Sequence, residues 1–131
     1  MRPTDACPCG SGEPLGRCCL PLHRGERQAD TAEQLMRSRY SAYATGDLDY
    51  IWQTWHPRTR PATLTPESGL TWTGLQILDT VDGQPGDQTG EVEFRALYRD
   101  GQGRGTLHER SRFAVRARRW FYVDGDLFDP R

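Results

Sequence analysis

The sequence contains no lysine, because all 17 of its basic residues are arginine. This absence excludes Schiff-base chemistry and every other mechanism that depends on a lysine amine. The chain also has no large excess of positive or negative charge, since its formal net charge is −1. A chain so close to neutrality has no general attraction for nucleic acids or for an anionic membrane surface.

Long apolar runs are also absent. No segment approaches the roughly 20 consecutive apolar residues that a membrane-spanning helix requires. The N-terminal stretch MRPTDACPCG lacks the apolar region of a secretory signal. We therefore expect a cytoplasmic protein, in a reducing compartment where structural disulfides are uncommon. The 131 residues, with four Trp, five Tyr and four Phe, suffice for one folded domain and a small appendage.

Cysteine is absent after residue 19. The four cysteines all lie in the segment CPCGSGEPLGRCC, as Cys7 and Cys9 followed by the adjacent Cys18 and Cys19. Two close pairs of soft ligands joined by a short glycine-rich loop suit a tetrahedral divalent cation. Two disulfides or redox-active free thiols are the alternatives. The expected compartment disfavours disulfides, and the segment contains no C-x-x-C dithiol.

We predict that Cys7, Cys9, Cys18 and Cys19 bind zinc, and iron is the other metal that a tetrahedral thiolate site accepts. Because protein sulfurs fill all four positions, the site should be structural and not catalytic. A binding free energy on the order of 10 kcal/mol would suffice to fold a segment too short to bury a core of its own.

The stretch CPCGSG followed by CC resembles the SEC-C motif, a small zinc-binding segment at the C-terminus of the SecA translocation ATPase and in other bacterial proteins. The stretch from CCLPLHRGERQAD to HPRTRP, with the later HERSRF and RWFYVDG, resembles the YchJ-like family of uncharacterised bacterial proteins. The resemblance implies a metal-binding hook, which we place at residues 1–25, and a nuclear-transport-factor-2-like domain at 26–131. It implies no established reaction. In SecA-like proteins the motif is associated with binding of partner proteins.

Hydrophobic periodicity in the second segment predicts helices first and strands afterwards. Asp30 or Thr31 is a candidate N-cap for a helix that ends at Gly46, and Asp47 begins a second helix that Pro57 closes. In the second half of the chain the period changes to two, with glycine- and aspartate-rich turns between the segments. This order predicts an α+β, cone-shaped domain in which N-terminal helices pack on a bent antiparallel sheet of about four to five strands.

Two polar side chains fall on the inward register of the third predicted strand. Glu109 and Ser111 share the parity of the apolar residues Leu107 and Val115. A buried carboxylate must be paired or must shift its pKa. We therefore predict a salt bridge between Glu109 and Arg39, which lies at the edge of the apolar stripe of the first long helix.

These polar residues are candidates for a pocket. The full candidate set adds residues near its predicted mouth and comprises Arg39, Glu109, Ser111, Trp55, His56, Tyr122 and Asp124. One interpretation is a satisfied internal network that fixes helix to sheet. The other is a ligand pocket in which Glu109 or His56 transfers a proton. Because no nucleophile–base pair or metal triad is legible, no catalytic residue is assigned and enzymatic activity stays an open question.

The opposite face of the strands carries a row of arginines, which comprises Arg95, Arg99, Arg110, Arg112, Arg116, Arg118 and Arg119. Such a row on adjacent strands suits the phosphates of RNA. The interleaved Glu91 and Glu93, together with the net charge, favour cross-strand ion pairs instead.

Three hypotheses of function follow. The first, which the motif favours, is a non-enzymatic metal-binding adapter that recognises a protein partner through its hook. The second is a small-molecule-binding protein or enzyme that uses a pocket around Glu109. The third, which the charge distribution disfavours, is an RNA-binding module that uses the arginine row.

Overall fold

The computed structural model describes residues 2–65 and 69–128. A short 3-10 turn at Leu15–Arg17 precedes three helices and four strands. The helices are α1 (Leu20–His23), α2 (Ala32–Thr45) and α3 (Leu48–Gln53). The strands are β1 (Thr71–Asp82), β2 (Thr89–Asp100), β3 (Gly103–Arg116) and β4 (Arg119–Leu127). They form one antiparallel sheet in the order β1-β2-β3-β4, which confirms the predicted α+β arrangement.

The long helix α2 begins and ends where its capping residues predict. The Thr31 side chain accepts a hydrogen bond of 3.0 Å from the backbone N–H of Gln34, which satisfies one of the free amides of the first turn. Gly46 follows the last turn with a φ of +82°. A glycine adopts this left-handed conformation at the lowest steric cost, so the helix stops there.

The helix α3 is shorter than the sequence predicts. Asp47 caps it by accepting a hydrogen bond of 3.1 Å from the Tyr50 amide, as expected. The helix ends at Gln53, one turn before the proline, because the chain then runs alongside β4. Trp55 forms a parallel bridge with Tyr122, and this pairing takes the place of a further helical turn.

The core lies between the two main helices and the concave face of the sheet. Leu35 from α2, Ile51 from α3, and Val92 and Phe113 from the sheet are its largest fully buried side chains. Each such side chain stabilises the fold by about 1.5–3 kcal/mol through removal of apolar surface from water. The predicted period of two is seen in β2, where Val92, Phe94 and Ala96 are buried and the residues between them are not.

Two glycines allow the first turn of α2 to lie directly on the end of the β1–β2 hairpin. The amide of Ala32 donates a hydrogen bond of 2.9 Å to the carbonyl of Gly83. A Cβ at Gly90 would lie 2.5 Å from the Gly83 Cα and 3.2 Å from the Ala32 Cβ. The close approach of helix to sheet at this point therefore requires a residue without a side chain at position 90.

Within the described residues, no helix is both long and apolar enough to cross a bilayer.

We predict that Gly90→Ala destabilises the protein by about 1–3 kcal/mol, because the added methyl group overpacks backbone that cannot move aside. Gly101→Ala is the matched control, since a Cβ there meets nothing within 4 Å. Thermal or urea unfolding of the two variants measures the difference. Equal stability of the two variants would show that the helix adjusts freely on the hairpin.

Candidate metal centre and ligand cavity

The four cysteine sulfurs converge at one point, where they all lie within 4.8 Å of one another. The Sγ atoms of Cys9 and Cys18 are 3.6 Å apart, and those of Cys18 and Cys19 are 3.8 Å apart. A tetrahedral ion with metal–sulfur bonds of about 2.3 Å places its ligands about 3.8 Å from one another. The separations fit one shared ion and exclude disulfides, whose sulfurs lie about 2.05 Å apart. All four cysteines are free thiols in the structure.

Tight turns in the loop bring the two cysteine pairs together. The amide of Cys7 donates to the carbonyl of Glu13 at 2.9 Å, so the loop closes on itself. Gly10 and Gly12 adopt φ values of +81° and +86°. This left-handed backbone is the region that favours glycine, which explains the glycines between the pairs.

Ser41 of α2 lies directly against the cluster. Its hydroxyl is 3.4 Å from the Cys7 sulfur and 3.3 Å from the Cys19 sulfur, and all three residues are buried. The exposed Ser11 places its hydroxyl 3.2 Å from the Cys18 sulfur. Hydroxyl groups at these distances stabilise thiolate charge and orient the sulfurs for a metal ion.

Two further contacts fasten the hook to α2. The guanidinium of Arg37 donates to the carbonyl of Cys9 at 2.6 Å. The ring of His23 donates from Nε2 to the carbonyl of Ser38 at 2.8 Å, so this histidine is a structural donor and not a metal ligand. The hook is therefore docked on the helix and does not hang free.

Three of the four thiols have pKa values displaced by their neighbours and by burial. Hydrogen bonds from Cys19 and Cys9 lower the pKa of Cys7. Burial raises the pKa of Cys18 to about 11, and the hydrogen bond to Cys7 raises the pKa of Cys19. Four thiolates at this spacing would repel one another, and a bound cation would compensate their charge. The donor set, the spacing and the burial all fit a metal ion.

A second feature lies on another side of α2, where a cavity of about 460 Å³ opens between the helix and the sheet. Its volume falls in the range of about 300–1,000 Å³ that is typical of small-molecule sites. Its walls are mainly aromatic, and the rings belong to Tyr40, Tyr43, Trp55, Trp72, Phe94, Tyr98 and Tyr122. The polar groups among them are few, as in most ligand sites.

The structure brings five of the seven predicted pocket residues together in the wall of this cavity, namely Arg39, Trp55, Glu109, Ser111 and Tyr122. The other two lie outside it. The His56 ring packs against Phe121, with 6.0 Å between the ring centroids. Asp124 bonds to Arg112 on the convex face of the sheet.

A β-bulge explains why the prediction that Asp124 lies in the pocket is wrong. In the pairing of β3 with β4, Phe113 lies opposite Tyr122 and Arg112 lies opposite Asp124, so Val123 has no partner. The extra residue reverses the alternation of β4 at this point. Tyr122 therefore faces the cavity, whereas Asp124 faces away from it.

The predicted salt bridge between Arg39 and Glu109 is wrong. Among the described residues, no carboxylate lies within 4 Å of the Arg39 guanidinium. Its Nη1 donates instead to the carbonyl of Ile51 at 2.8 Å and to the hydroxyl of Thr54 at 2.7 Å. The reason is Tyr122, whose ring lies 4.7 Å from the guanidinium and whose hydroxyl donates to Glu109 at 3.3 Å.

Glu109 has its own set of partners. Its Oε2 accepts hydrogen bonds from the hydroxyls of Ser111 and Tyr122. The carboxylate occupies the space above Gly125 on β4, where a Cβ would collide with it. The glycine therefore fixes where the carboxylate sits in the cavity wall.

The convex face of the sheet carries ion pairs, as the sequence favours. Arg110 bonds to Asp79 at 2.7 Å and to Glu93 at 2.8 Å. His108 is partly covered, because it bonds to Glu93 at 2.8 Å and stacks on Phe128. Five members of the predicted arginine row make no ion pair with the described residues, namely Arg95, Arg99, Arg116, Arg118 and Arg119.

Sequence reasoning missed two groups of residues. Arg37 and Ser41 hold the hook, but a polar residue on a helix gives no sign of the partner it will meet. The stack of Tyr40, Trp72 and Tyr98 rings was also missed, although the inward parity of Tyr98 on β2 was visible in the sequence.

Comparison with known proteins assigns both segments. Residues 4–21 match the model of the SEC-C motif, and residues 31–125 match the family model described as the YchJ middle NTF2-like domain. The chain belongs to the YchJ-like, UPF0225 family. It is 53% identical to a UPF0225 protein of Streptomyces coelicolor, over 97% of this chain and 99% of that protein. It is 46% identical to a UPF0225 protein of Geobacter sulfurreducens, over 98% of this chain and 83% of that protein.

Two solved structures share the fold. The solution structure of a SEC-C motif-containing protein from Rhodopseudomonas palustris has a TM-score of 0.83 and 35% identity, with 95% of this chain and 100% of that chain covered. The crystal structure of a SEC-C motif-containing protein from Psychrobacter arcticus has a TM-score of 0.78 and 26% identity, with 97% of this chain and 85% of that chain covered. The predicted family and the nuclear-transport-factor-2-like fold are confirmed.

We predict that Ser41→Ala weakens zinc binding by about tenfold or more, because the buried hydroxyl contacts two sulfurs and water does not replace it. Ser11→Ala should cost less, since Ser11 is exposed and a water molecule takes over its hydrogen bond. Competition of each variant with a zinc chelator of known affinity measures the effect. A larger loss for Ser11→Ala would contradict the role assigned to Ser41.

Proposed function

We propose that this chain is a zinc-stabilised binding protein whose cavity takes a small organic molecule. The observation that carries the proposal is the cavity itself, a space of about 460 Å³ walled by aromatic rings next to a buried arginine. Aromatic surface that faces water inside a fold gives up the hydrophobic stabilisation that tighter packing would provide. A ligand recovers that stabilisation.

The aromatic rings of the cavity wall, Trp72 among them, are held in place by one another. Trp72 lies edge to face with Tyr40 at 6.0 Å and with Tyr98 at 5.7 Å, measured between ring centroids. The Tyr98 ring in turn lies over Gly105 on β3, where any Cβ would collide with it. These contacts hold the rings as a fixed wall, so the cavity is preformed and little conformational entropy is lost when a ligand binds.

We assign the metal to zinc and its role to structure. Four thiolates complete a tetrahedral shell, so no position is left for a substrate. Three of the four cysteines are buried, and Ser41 and Arg37 tie the cluster to α2. The ion in this arrangement would stabilise the hook and the helix under it.

A partner-binding role for the hook is the other function that its motif suggests. The part of the hook that stays exposed is polar and includes Ser11, Gly12 and Glu13. The buried part faces α2. The arrangement leaves the cavity as the better-supported binding site, and an adapter role stays a prediction.

The RNA-binding alternative has less support. Arg110 and Arg112, two central members of the arginine row, are engaged by acidic residues of neighbouring strands. Cross-strand pairs of this kind stabilise the sheet and lower the positive potential that phosphates require.

We expect the purified protein to contain one zinc ion per chain and to show no visible absorbance. Cys18→Ser and Cys19→Ser should each lose the ion and unfold at lower temperature, because metal binding supplies the folding free energy of the hook. Elemental analysis, visible spectroscopy and thermal unfolding give the three readouts. Iron in the elemental analysis, with the matching visible absorbance, would contradict the assignment of zinc.

We predict that the cavity binds the neutral fluorescent probe 1-anilinonaphthalene and that Leu107→Trp weakens this binding by about tenfold or more. Leu107 lines the cavity from β3, so a larger side chain occupies the space of the probe. Leu78→Trp is the matched control, because Leu78 is exposed on β1 and does not line the cavity. Binding that responds equally to both substitutions would place the probe outside the cavity.

A further inference from the structure

We propose that the ligand of this cavity is a small organic anion, a carboxylate with an aromatic or apolar body, whose carboxylate binds Arg39. The inference deepens the function proposed above and rests on it. The evidence is that Arg39 is buried and has no ion-pair partner among the described residues, whereas the arginines in ion pairs lie nearer the surface.

Arg39 is a buried cation with no anionic partner among the described residues. Its side chain is 4% exposed, and it lies in the wall of the cavity. A buried charge is costly unless an opposite charge and hydrogen bonds compensate it. Within the described part of the chain no carboxylate reaches it, and its only hydrogen-bond acceptors are the neutral oxygens of Ile51 and Thr54.

The described residues take up only part of the hydrogen-bonding capacity of the guanidinium. A guanidinium has five N–H donors, and both hydrogen bonds that Arg39 makes to described residues come from Nη1. Its Nε and Nη2 donate to no described protein atom. These two nitrogens form the edge that binds a carboxylate through two parallel hydrogen bonds.

The side chains around Arg39 add a hydrogen-bond donor and no anion. The rings of Trp55 and Tyr122 lie 5.4 Å and 4.7 Å from the guanidinium carbon, within the range of a cation–π contact. The indole Nε1 of Trp55 is itself buried and has no acceptor among the described residues. Burial lowers the pKa of Arg39, in the direction that a bound anion would reverse.

The two acidic residues of the cavity do not supply the missing anion. Glu109 acts on Arg39 through space and not through a hydrogen bond, because its Oε2 accepts from Tyr122 and Ser111. Asp100 is the last residue of β2 and is exposed to solvent. The direct position at the guanidinium is therefore left to the carboxylate of a ligand.

The rest of the cavity selects the body of the ligand. Phe94 and Ala96 of β2 line it with apolar surface, and the edge-to-face rings of Trp72 and Tyr98 add aromatic surface. Such a wall fits an aromatic or compact apolar group. One charged group at one point of an otherwise apolar site is the arrangement that fixes the orientation of a ligand.

The test compares two probes that differ only in charge, 2-naphthoate and 2-naphthamide, by calorimetry on the full chain. We expect the wild type to bind the carboxylate about tenfold or more tightly than the amide, because a charge-assisted pair forms only with the carboxylate. Equal affinity for the two would overturn the assignment of an anion and leave the cavity as a neutral site. Failure of both probes, and of 1-anilinonaphthalene, to bind would overturn the cavity function itself.

Substitution of the arginine locates the effect. Arg39→Met has a similar volume and no charge, so the affinity for naphthoate should fall to that for naphthamide, while naphthamide binding is retained and reports an intact cavity. Arg95→Met on the convex face is the control and should change neither affinity. A preference for naphthoate that persists in Arg39→Met would overturn the role of Arg39.

A second variant covers the case in which Arg39→Met does not fold. Arg39→Lys keeps the positive charge but loses the planar fork. It should keep a preference for naphthoate that is smaller than that of the wild type. An unchanged preference would contradict the two-bond geometry at the Nε and Nη2 edge.

Discussion

The structure depends on the packing of α2 on two sides at once. One stripe of the helix, with Arg37, Ser38 and Ser41, meets the cysteine hook. A second stripe, with Met36, Arg39, Tyr40 and Tyr43, faces the sheet and the cavity. Both stripes follow the spacing of three and four residues that one helical face requires. A helix that is buried on two sides carries buried polar residues, and this accounts for Ser38, Arg39 and Ser41.

The buried polar residues of α2 differ in how fully they are satisfied. Ser38 donates to the carbonyl of Leu35 and lies 2.7 Å from the hydroxyl of Tyr50. Ser41 has two sulfur partners. Arg39 carries a full positive charge, and its partners are two neutral hydrogen-bond acceptors and two aromatic rings. Hydrogen bonds of neutral groups are worth about 1 kcal/mol each, and the desolvation cost of a buried ion is several times larger. The imbalance is confined to Arg39, where the helix meets the cavity.

The sequence predicted those features that depend on local chemistry. The spacing of the cysteines and the glycines between them indicated the cluster, and Thr31 and Gly46 marked the ends of α2 because caps act on adjacent backbone. The inward register of Glu109 and Ser111 followed from strict alternation. Asp124 was misplaced because a bulge reverses alternation without a sequence signal. The Arg39–Glu109 pair failed because both residues do face one cavity but the ring of Tyr122, from a distant strand, lies between them. Such an intervening side chain is a property of the tertiary packing.

The same helix connects the metal centre to the cavity. Arg37 donates to the hook, and Arg39, two residues later, donates to the carbonyl of Ile51 in α3. A shift of α2 therefore moves both contacts. The free energy of metal binding, on the order of 10 kcal/mol for a structural zinc, greatly exceeds what a four-residue helix and a 3-10 turn contribute by themselves. A bound ion would act on α2 through Ser41 and Arg37 and would oppose movement of the helix away from the hook. A closed thiolate shell would have no chemistry of its own, but in this position it would limit the movement of the helix that carries the buried guanidinium.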